Sequence, residues 1–202
     1  MDMFTLEQLD PTHHPLVVTA IGAAKKWQRD RKTSRFASLV LMSAADPKNK
    51  DATGYGTGKT HIAKACYHTD LYYYNDGDKW VPHCPTGKFY EANVIIQAAG
   101  AGYFLDVRKG NILVIDDIGT EKTIPFVAAV DQAGEIVDRY TGIVDKCYTV
   151  GISLILTSNL QLGDFKRHIG GRAWSRLQQM AGPGCIVDMT GVTDYRLKLR
   201  GG

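Results

Sequence analysis

Several features that define other classes of protein are missing from this chain of 202 residues. No apolar run approaches the length of a membrane-spanning helix, about 20 residues. The opening residues, 1–5, lack the basic start and apolar core of a signal peptide. A bias toward one charge is missing too, with 24 Lys and Arg against 21 Asp and Glu, so composition does not identify a charged partner. We therefore expect a cytoplasmic protein that does not bind membranes.

Cysteine is scarce and scattered. The four cysteines are Cys66, Cys84, Cys147 and Cys185. They include no Cys-x-x-Cys pair, which argues against a redox motif or a zinc ribbon and predicts reduced thiols. His68 and His83 lie near two of these cysteines in the sequence, but the spacing matches no metal-ligand template. We therefore expect no structural metal site from these residues.

A glycine-rich segment is the most informative feature that is present. Residues 53–60 have the sequence Thr-Gly-Tyr-Gly-Thr-Gly-Lys-Thr. Three glycines in five positions let successive backbone N–H groups converge on phosphates without interference from Cβ atoms. Lys59 is expected to reach the β- and γ-phosphates of ATP, and Thr60 to offer its hydroxyl to Mg²⁺. The predicted nucleotide-binding residues here are Gly54, Tyr55, Gly56, Thr57, Gly58, Lys59, Thr60 and His61.

An acidic strand supports this interpretation. Residues 112–117 have the sequence Ile-Leu-Val-Ile-Asp-Asp, an apolar run that ends in two carboxylates. Asp116 is expected to hold magnesium together with Thr60, and Asp117 to orient the water that attacks the γ-phosphate. Another buried strand ends near Asn159. This side chain is predicted to hydrogen-bond the attacking water or the γ-phosphate; the alternative is an ordinary turn residue.

The order of elements predicts one α/β domain. Residues 1–36 are interpreted as a polar arm with one helix, whose Val18, Ile21 and Trp27 pack on a domain of residues 37–202. Strands that alternate with helices indicate a parallel sheet with helices on both faces. The predicted strands are 37–42, 88–91, 111–115, 149–157 and 185–189, and the predicted helices are 17–28, 59–69, 92–99, 125–140 and 171–180.

On these motifs the chain resembles the AAA+ ATPases, and within them the DnaC/DnaI group of helicase loaders, with IstB-type transposition helpers and the DnaA initiator as relatives. The resemblance extends in order and approximate spacing from about residue 39 to 196. Its motifs are 58–61, 115–121, 135–140, 156–160, 171–177 and 194–196. Three features depart from the pattern. Thr53 replaces a glycine, residues 45–51 are inserted before the phosphate loop, and no helicase-binding domain is expected before the ATPase core.

The resemblance implies a P-loop NTPase (AAA+) three-layer sandwich with a parallel sheet of order 5-1-4-3-2 and little or no C-terminal lid domain. It also implies that ATP lies between protomers and that Arg176, in a Ser-Arg-Leu motif, is an arginine finger that acts on a neighbour's nucleotide. Self-association would then control turnover. Arg172, one helical turn earlier, is predicted to contact nucleotide, DNA or the neighbouring subunit, or to be a solvated surface charge.

The function that this resemblance implies is ATP hydrolysis, stimulated by assembly or DNA, in a bacterial or phage DNA replication factor. Such a protein loads the replicative hexameric helicase onto single-stranded DNA. The alternative is an IstB-like ATPase helper of a DNA transposase. A nucleotide-dependent binding module with little hydrolysis is disfavoured, because Asp117 and Arg176 both serve the chemical step. A small-molecule kinase is disfavoured because the Thr-Ser-Asn and Ser-Arg-Leu elements have no role in one.

A cluster of aromatic residues offers one way to contact single-stranded DNA. Its members are Tyr72, Tyr73, Tyr74 and Trp80. The sequence Asn-Asp-Gly at 75–77 predicts that they lie on a hairpin. Aromatic side chains stack on bases, and the nearby Lys79 and Lys88 would contact phosphates. The alternative, which the sequence favours, is a hairpin whose aromatic residues pack on the domain.

Overall fold

The computed structural model describes residues 5–33, 37–68, 72–76, 79–83, 87–99, 111–121, 124 and 127–195. The strands in these ranges are β1 (Ser38–Met42), β2 (Tyr72–Asp76), β3 (Lys79–His83), β4 (Lys88–Glu91), β5 (Ile112–Ile118), β6 (Ser153–Ser158) and β7 (Ile186–Asp188). Five of them form a parallel sheet in the order β4-β5-β6-β1-β7. Numbered among themselves these strands have the order 2-3-4-1-5, so the predicted sheet order is confirmed.

Helices cover both faces of this sheet. They are α1 (Pro15–Thr33), α2 (Lys59–His68), α3 (Ala92–Ala99), α4 (Gln132–Val150), α5 (Leu162–Ile169) and α6 (Gly171–Met180). Successive strand residues point to opposite faces. Val40 and Met42 accordingly pack in one core with α3 to α6, whereas Leu39 and Leu41 pack in another with α1 and α2. The predicted three-layer α/β sandwich is therefore confirmed.

Helix α1, in the segment interpreted as an arm, contributes to the second core. It contacts β1, β7 and α2. Trp27 is fully buried and Ile21 is partly buried, but Val18 is 51% exposed and contributes little to the packing. The helix is also longer at both ends than the predicted 17–28. The side chains of α1 thus complete the layer that lies beside the predicted phosphate loop.

The helix predicted at 125–140 was wrong at both ends. It begins at Gln132 and continues to Val150, so residues 149 and 150 end a helix and do not begin the next strand. The apolar, β-branched sequence around them resembles a strand. The segment is nevertheless helical, and Val144 and Cys147, earlier in the same helix, are buried in the core. Gly151 ends the helix with φ of +84°, and its N–H donates to the carbonyl of Cys147.

Helix α5 was missed in the sequence. It is only eight residues long and carries four charged or titratable side chains, so it contains no long apolar run that marks it in the sequence. Phe165 and Ile169, four residues apart on one face, are nevertheless buried in the core. Gly170, with φ of +86°, separates α5 from α6, which has the predicted bounds. The two helices form a pair that packs on α4.

The remaining predictions about the architecture concern the hairpin, the cysteines and the lid. Strands β2 and β3 pair antiparallel, as the turn signal at 75–77 predicted, although Gly77 lies outside the described residues. Cys66, Cys147 and Cys185 are buried free thiols, and Cys84 lies outside the described residues. After β7 the described chain extends only to Tyr195, and this part contains no lid domain. Within the described ranges, no helix is long and apolar enough to cross a membrane.

Candidate nucleotide-binding site

The predicted phosphate loop, residues 53–60, connects the sheet to the first turn of α2. Gly54, Gly56 and Gly58 have φ angles of +81°, +64° and +95°, a conformation that side chains with a Cβ rarely adopt. Alternation of left-handed glycines with other residues turns successive backbone N–H groups to the same side. Because α2 begins at Lys59, the N–H groups at its N-terminal end add to this concave, anion-binding surface.

Gly54 is required by a close approach as well as by its φ angle. A Cβ at this position would lie 2.7 Å from the carbonyl oxygen of Ser43 and 2.9 Å from the backbone nitrogen of Ala45. Thr53 does not have a positive φ, because Asp117 is the one non-glycine residue in the described ranges that does. Position 53 therefore does not require glycine for its backbone conformation. The replacement of the usual glycine by Thr53 is therefore compatible with the loop's backbone.

The inserted segment before the loop folds back on itself. Asp46 donates its N–H to the carbonyl of Ala52 over 2.8 Å, and Ala52 donates to the carbonyl of Asn49 over 3.0 Å. This compact turn brings the chain back to the end of β1. The insertion therefore adds a short closed loop and leaves the connection between the strand and the phosphate loop intact.

Lys59 lies beneath the loop and is 5% exposed. Its Nζ donates to the carbonyl oxygen of Gly54 over 2.7 Å and to Thr57 Oγ1 over 3.2 Å. A buried ammonium group needs hydrogen-bond acceptors, and the loop supplies two of them. The same position lets Nζ donate to phosphate oxygens held by the loop, which is the role that the sequence predicts.

Asp116 meets the hydroxyl groups of two other elements at the end of β5. Its Oδ1 accepts hydrogen bonds from Thr60 Oγ1 on α2, over 3.0 Å, and from Thr157 Oγ1 on β6, over 2.5 Å. Asp116 is 5% exposed. Burial raises its pKa, with a further contribution from the neighbouring charge of Asp117, although both hydroxyls oppose the shift. The two hydrogen-bond donors to the carboxylate are thus neutral, and the positive charge of Lys64 opposes the shift least of these influences.

These groups fit a magnesium ion. The hydroxyl of Thr60 and the carboxylate of Asp116 are hard oxygen donors, which Mg²⁺ prefers. Two neutral hydroxyls do not balance a buried carboxylate charge, and a divalent cation beside Thr60 would do so. The structure therefore brings together Thr60 and Asp116, the two residues of the predicted metal site.

Asp117 has an unusual backbone conformation, with φ of +59°. Its N–H donates to Thr157 Oγ1 over 2.9 Å, and Asn159 Nδ2 lies 3.4 Å from its Oδ1. The two predicted catalytic side chains, from β5 and from the end of β6, are therefore neighbours. Thr157 contacts both aspartates, a connection that the sequence analysis missed although the Thr-Ser-Asn motif contained it.

A cavity of about 570 Å³ opens beside these residues. It is lined by Gln8, Leu9, Tyr55, Gly56, Thr57, Gly58, Lys59, Thr60, His61, Asp117, Asn159 and Tyr195. Nine of these twelve residues were predicted from the sequence, and the other three come from the two ends of the described chain. The cavity therefore unites the phosphate loop with Asp117 and Asn159, and its further wall includes Tyr195, which belongs to motif 194–196 but was given no nucleotide contact there.

This wall is anchored to the loop by hydrogen bonds. His61 Nε2 donates to the carbonyl of Thr5 over 2.9 Å, which holds the segment preceding Gln8 and Leu9. Tyr195 donates its N–H to the carbonyl of Gly56 over 2.9 Å. The hydroxyl of Tyr195 accepts from the N–H of Asp10 over 3.3 Å. Both ends of the described chain thus close on the phosphate loop, and the apolar side chain of Leu9 was the available sequence signal.

The two predicted arginines of α6 lie elsewhere. Arg172 Nη2 is 2.5 Å from Asp145 Oδ2, and Arg176 Nε is 3.6 Å from Asp145 Oδ1. The guanidinium carbon of Arg176 lies 4.3 Å from the ring centroid of Tyr148. Arg172 and Arg176 are 69% and 35% exposed in their side chains, and neither lines the cavity. We call these two arginines with Asp145 and Tyr148 of α4 the α6 arginine face.

Comparisons with known proteins agree with this architecture. The structure is similar to the crystal structure of the DnaC helicase loader, with 16% identity, a TM-score of 0.61, and 92% of this chain and 96% of that chain covered. It is also similar to DnaI, with 15% identity, a TM-score of 0.58, and coverage of 95% and 90%. A DNA replication initiation factor matches with 15% identity and a TM-score of 0.51, over 97% of this chain and 52% of that one.

Sequence comparisons found no such relatives. No protein-family model matches the chain, and no curated protein matches it. At identities near 15% the likeness to the solved structures concerns the fold. Sheet order, helical layers and phosphate loop all agree with it. The chain therefore has the α/β fold of the crystal structures of the DnaC helicase loader and of DnaI.

Proposed function

We propose that this protein binds and hydrolyses ATP and loads a replicative hexameric DNA helicase onto single-stranded DNA. ATP binding and hydrolysis are supported most strongly by one observation: Lys59, Thr60 and Asp116 lie together beside the phosphate loop. Thr60 Oγ1 lies 3.0 Å from Asp116 Oδ1, and both adjoin a glycine loop with three left-handed glycines. This combination suits a triphosphate with its metal ion, and few other ligands need all of its parts.

In the proposed complex the loop and Lys59 bind the phosphates. Lys59 exchanges its hydrogen bonds to Gly54 and Thr57 for hydrogen bonds to phosphate oxygens. Thr60 and Asp116 would hold Mg²⁺, which would supply positive charge against the phosphates. Gln8, Leu9 and Tyr195 form the wall on which the rest of the nucleotide lies.

Hydrolysis is assigned to Asp117 and Asn159. Asp117 orients a water molecule and accepts its proton as the water oxygen bonds to the γ-phosphorus and the bond to the β–γ bridging oxygen breaks. Asn159 Nδ2, 3.4 Å from Asp117 Oδ1, holds that carboxylate in place or donates to the γ-phosphate. The two side chains come from adjacent strands, so the rigid sheet fixes their separation.

Assembly is assigned to the α6 arginine face. Arg176 lies outside the cavity of its own protomer, so its guanidinium can reach a γ-phosphate only in a second copy. There it would offset charge that develops in the transition state. Arg172, on the same face of α6, would contact the same neighbour. Turnover per protomer should therefore rise with protein concentration, and phosphate release measured over a dilution series tests this.

The replication role rests on the similarity in fold to DnaC and DnaI. A native-mass titration with the replicative helicase from the same source, with and without ATP and single-stranded DNA, tests it. A complex whose stoichiometry responds to ATP supports helicase loading. Absence of that complex, together with ATP-dependent assembly on DNA alone, would contradict it and favour the IstB-like alternative. For the aromatic residues at 72–74 and Trp80 both predictions stand: contact with single-stranded DNA, and packing on the domain, which the sequence favours.

A further inference from the structure

Glu121 forms a buried polar cluster that the proposed mechanism has not used. Its side chain is only 1% exposed. Its Oε2 lies 2.8 Å from His168 Nε2 on α5 and accepts the N–H of Gly119 over 3.0 Å. Its Oε1 accepts a hydrogen bond from the hydroxyl of Tyr140 on α4. Three partners from three segments of the chain therefore converge on one carboxylate.

The carboxylate stays charged in spite of its burial. Burial alone would raise the pKa of Glu121, but the hydrogen bonds from His168 and Tyr140 outweigh it, and the net shift is downward. A buried charge is costly unless its hydrogen bonds are satisfied. Here both carboxylate oxygens have partners, so the network fixes the side chain and, with it, the backbone to which it is attached.

That backbone is the turn that follows Asp117. Thr120 donates both its N–H, over 3.2 Å, and its hydroxyl, over 2.7 Å, to the carbonyl of Asp117. Gly119, with φ of +100°, donates its N–H to Glu121. The left-handed conformation of Asp117 is strained for a residue with a side chain and persists only where its surroundings impose it. Glu121 holds the other end of this turn.

The partners of Glu121 also lead to the α6 arginine face. His168 lies two residues before Gly170, the joint from which α6 begins. Tyr140 lies on α4, the helix that also carries Asp145 and Tyr148. Its ring is fully buried among the core residues. One carboxylate therefore connects the turn of Asp117 to both helices that support the arginines.

We propose that Glu121 is a positioning residue for ATP hydrolysis: it fixes the turn that places Asp117 and ties this turn to α4 and α5 through Tyr140 and His168. This inference rests on the proposed function, because it assigns a role in that same site. Glu121 contacts no predicted phosphate ligand, so its loss should affect the chemical step and leave ATP binding unchanged. Displacement of a catalytic group by about 1 Å can cost roughly 100-fold in rate.

The test compares kcat and KM for ATP in three forms of the full chain, assayed at a concentration where the protein assembles. Glu121→Ala removes every contact of the carboxylate, and we expect kcat to fall roughly 10- to 100-fold with KM changed less than about twofold. Glu121→Gln can rotate its amide to accept from Gly119 and donate to Tyr140. We therefore expect this conservative variant to recover most of the lost kcat.

A matched control separates this effect from a general loss of stability. Glu135 pairs with Arg139 over 2.6 Å on α4, outside the cavity. Glu135→Gln should leave kcat unchanged. If Glu121→Ala does not fold, His168→Ala carries the test, because it leaves the carboxylate in place and removes its link to α5. It should lower kcat several-fold with an unchanged KM.

Two outcomes overturn the proposal while ATP hydrolysis by the wild-type protein stands. One is a folded Glu121→Ala variant with wild-type kcat, since Glu121 would then serve stability alone. The other is a parallel loss of kcat and ATP affinity, which would indicate general damage to the site. Absence of turnover in the assembled wild-type protein, with and without single-stranded DNA, would instead contradict the proposed function, and the role of Glu121 with it.

Discussion

The phosphate loop and the α6 arginine face differ in how completely one chain builds them. In the loop region, Lys59 and Asp116 are each 5% exposed and bonded to neighbours within the protomer. On the arginine face, Arg172 is 69% exposed in its side chain and Arg176 is 35% exposed. Their partner Asp145 is shared between them. One region is complete in the isolated protomer, and the other presents charge outward.

This difference fits a division between binding and turnover. Buried, preorganised hydrogen-bond donors lose little freedom when a ligand arrives, which favours tight binding. The guanidinium of Arg176 is partly exposed, and it would act on a nucleotide only when a neighbouring protomer covers and desolvates it. The isolated protomer should therefore bind ATP well and hydrolyse it poorly. Substitutions in the two regions should separate affinity from rate.

The largest effect is expected from Arg176→Ala. If Arg176 is an arginine finger, its removal should lower assembly-dependent turnover by about 1,000-fold or more and leave ATP affinity unchanged. Phosphate release at high protein concentration, together with fluorescent-nucleotide binding, measures both quantities. The control is Arg167→Ala on α5, which removes an equally charged side chain that is 78% exposed. Normal turnover in Arg176→Ala would disprove the finger assignment.

Lys59→Ala should have the opposite profile. Charge-assisted hydrogen bonds contribute up to about 3 kcal/mol, so we expect ATP affinity to fall roughly 100-fold. Isothermal titration calorimetry measures the change. Lys50→Ala, an exposed lysine in the loop before the phosphate loop, is the control and should bind as the wild type does. Equal affinity in the two variants would contradict the proposed role of Lys59.

The contrast between the regions also explains what could be predicted from the sequence. The phosphate loop was predictable because phosphate binding needs glycine at fixed spacing and a lysine after it. The sheet order followed only from the resemblance, since apolar runs such as those of β1 and β6 do not show which strands pair with each other. Arg172 and Arg176 could be singled out from the α6 motif. Their ion pairs with Asp145 could not, because these depend on how α4 packs on α6.

Other misses have local physical causes. Helix α5 is only eight residues long, shorter than the window of about 11–18 residues over which helical periodicity is read. Thr149 and Val150 favour a strand by propensity, but the packing of α4 overrides that preference. Gln8, Leu9 and Tyr195 enter the cavity from distant parts of the chain, and no spacing rule connects them. The role of Glu121 depends on partners 19 and 47 residues away.

A smaller effect is expected from Gly56→Ala in the phosphate loop. Gly56 has φ of +64°, and a Cβ would lie 1.7 Å from Asp194 Oδ1. Strain of the left-handed backbone costs roughly 1–2 kcal/mol, and Asp194 must also move. Thermal denaturation should show a lower midpoint. Gly142→Ala, an exposed helical glycine with open space around it, should raise the midpoint; a fall there would point to a nonspecific cause.

The smallest effect is expected from Asp145→Asn, which weakens the ion pairs that hold the α6 arginine face within its own protomer. Asp145 contacts both Arg172 and Arg176, yet these ion pairs are partly exposed to water. Such pairs contribute at most about 1 kcal/mol, and Tyr148 still supports Arg176 through its ring. Asp145→Asn should therefore change turnover by less than about fivefold, with ATP affinity unchanged. Steady-state assays of the two variants Asp145→Asn and Arg176→Ala under one set of conditions measure the difference. A loss in Asp145→Asn as large as that in Arg176→Ala would mean that the arginines must be preorganised before assembly, and the two regions would then be alike.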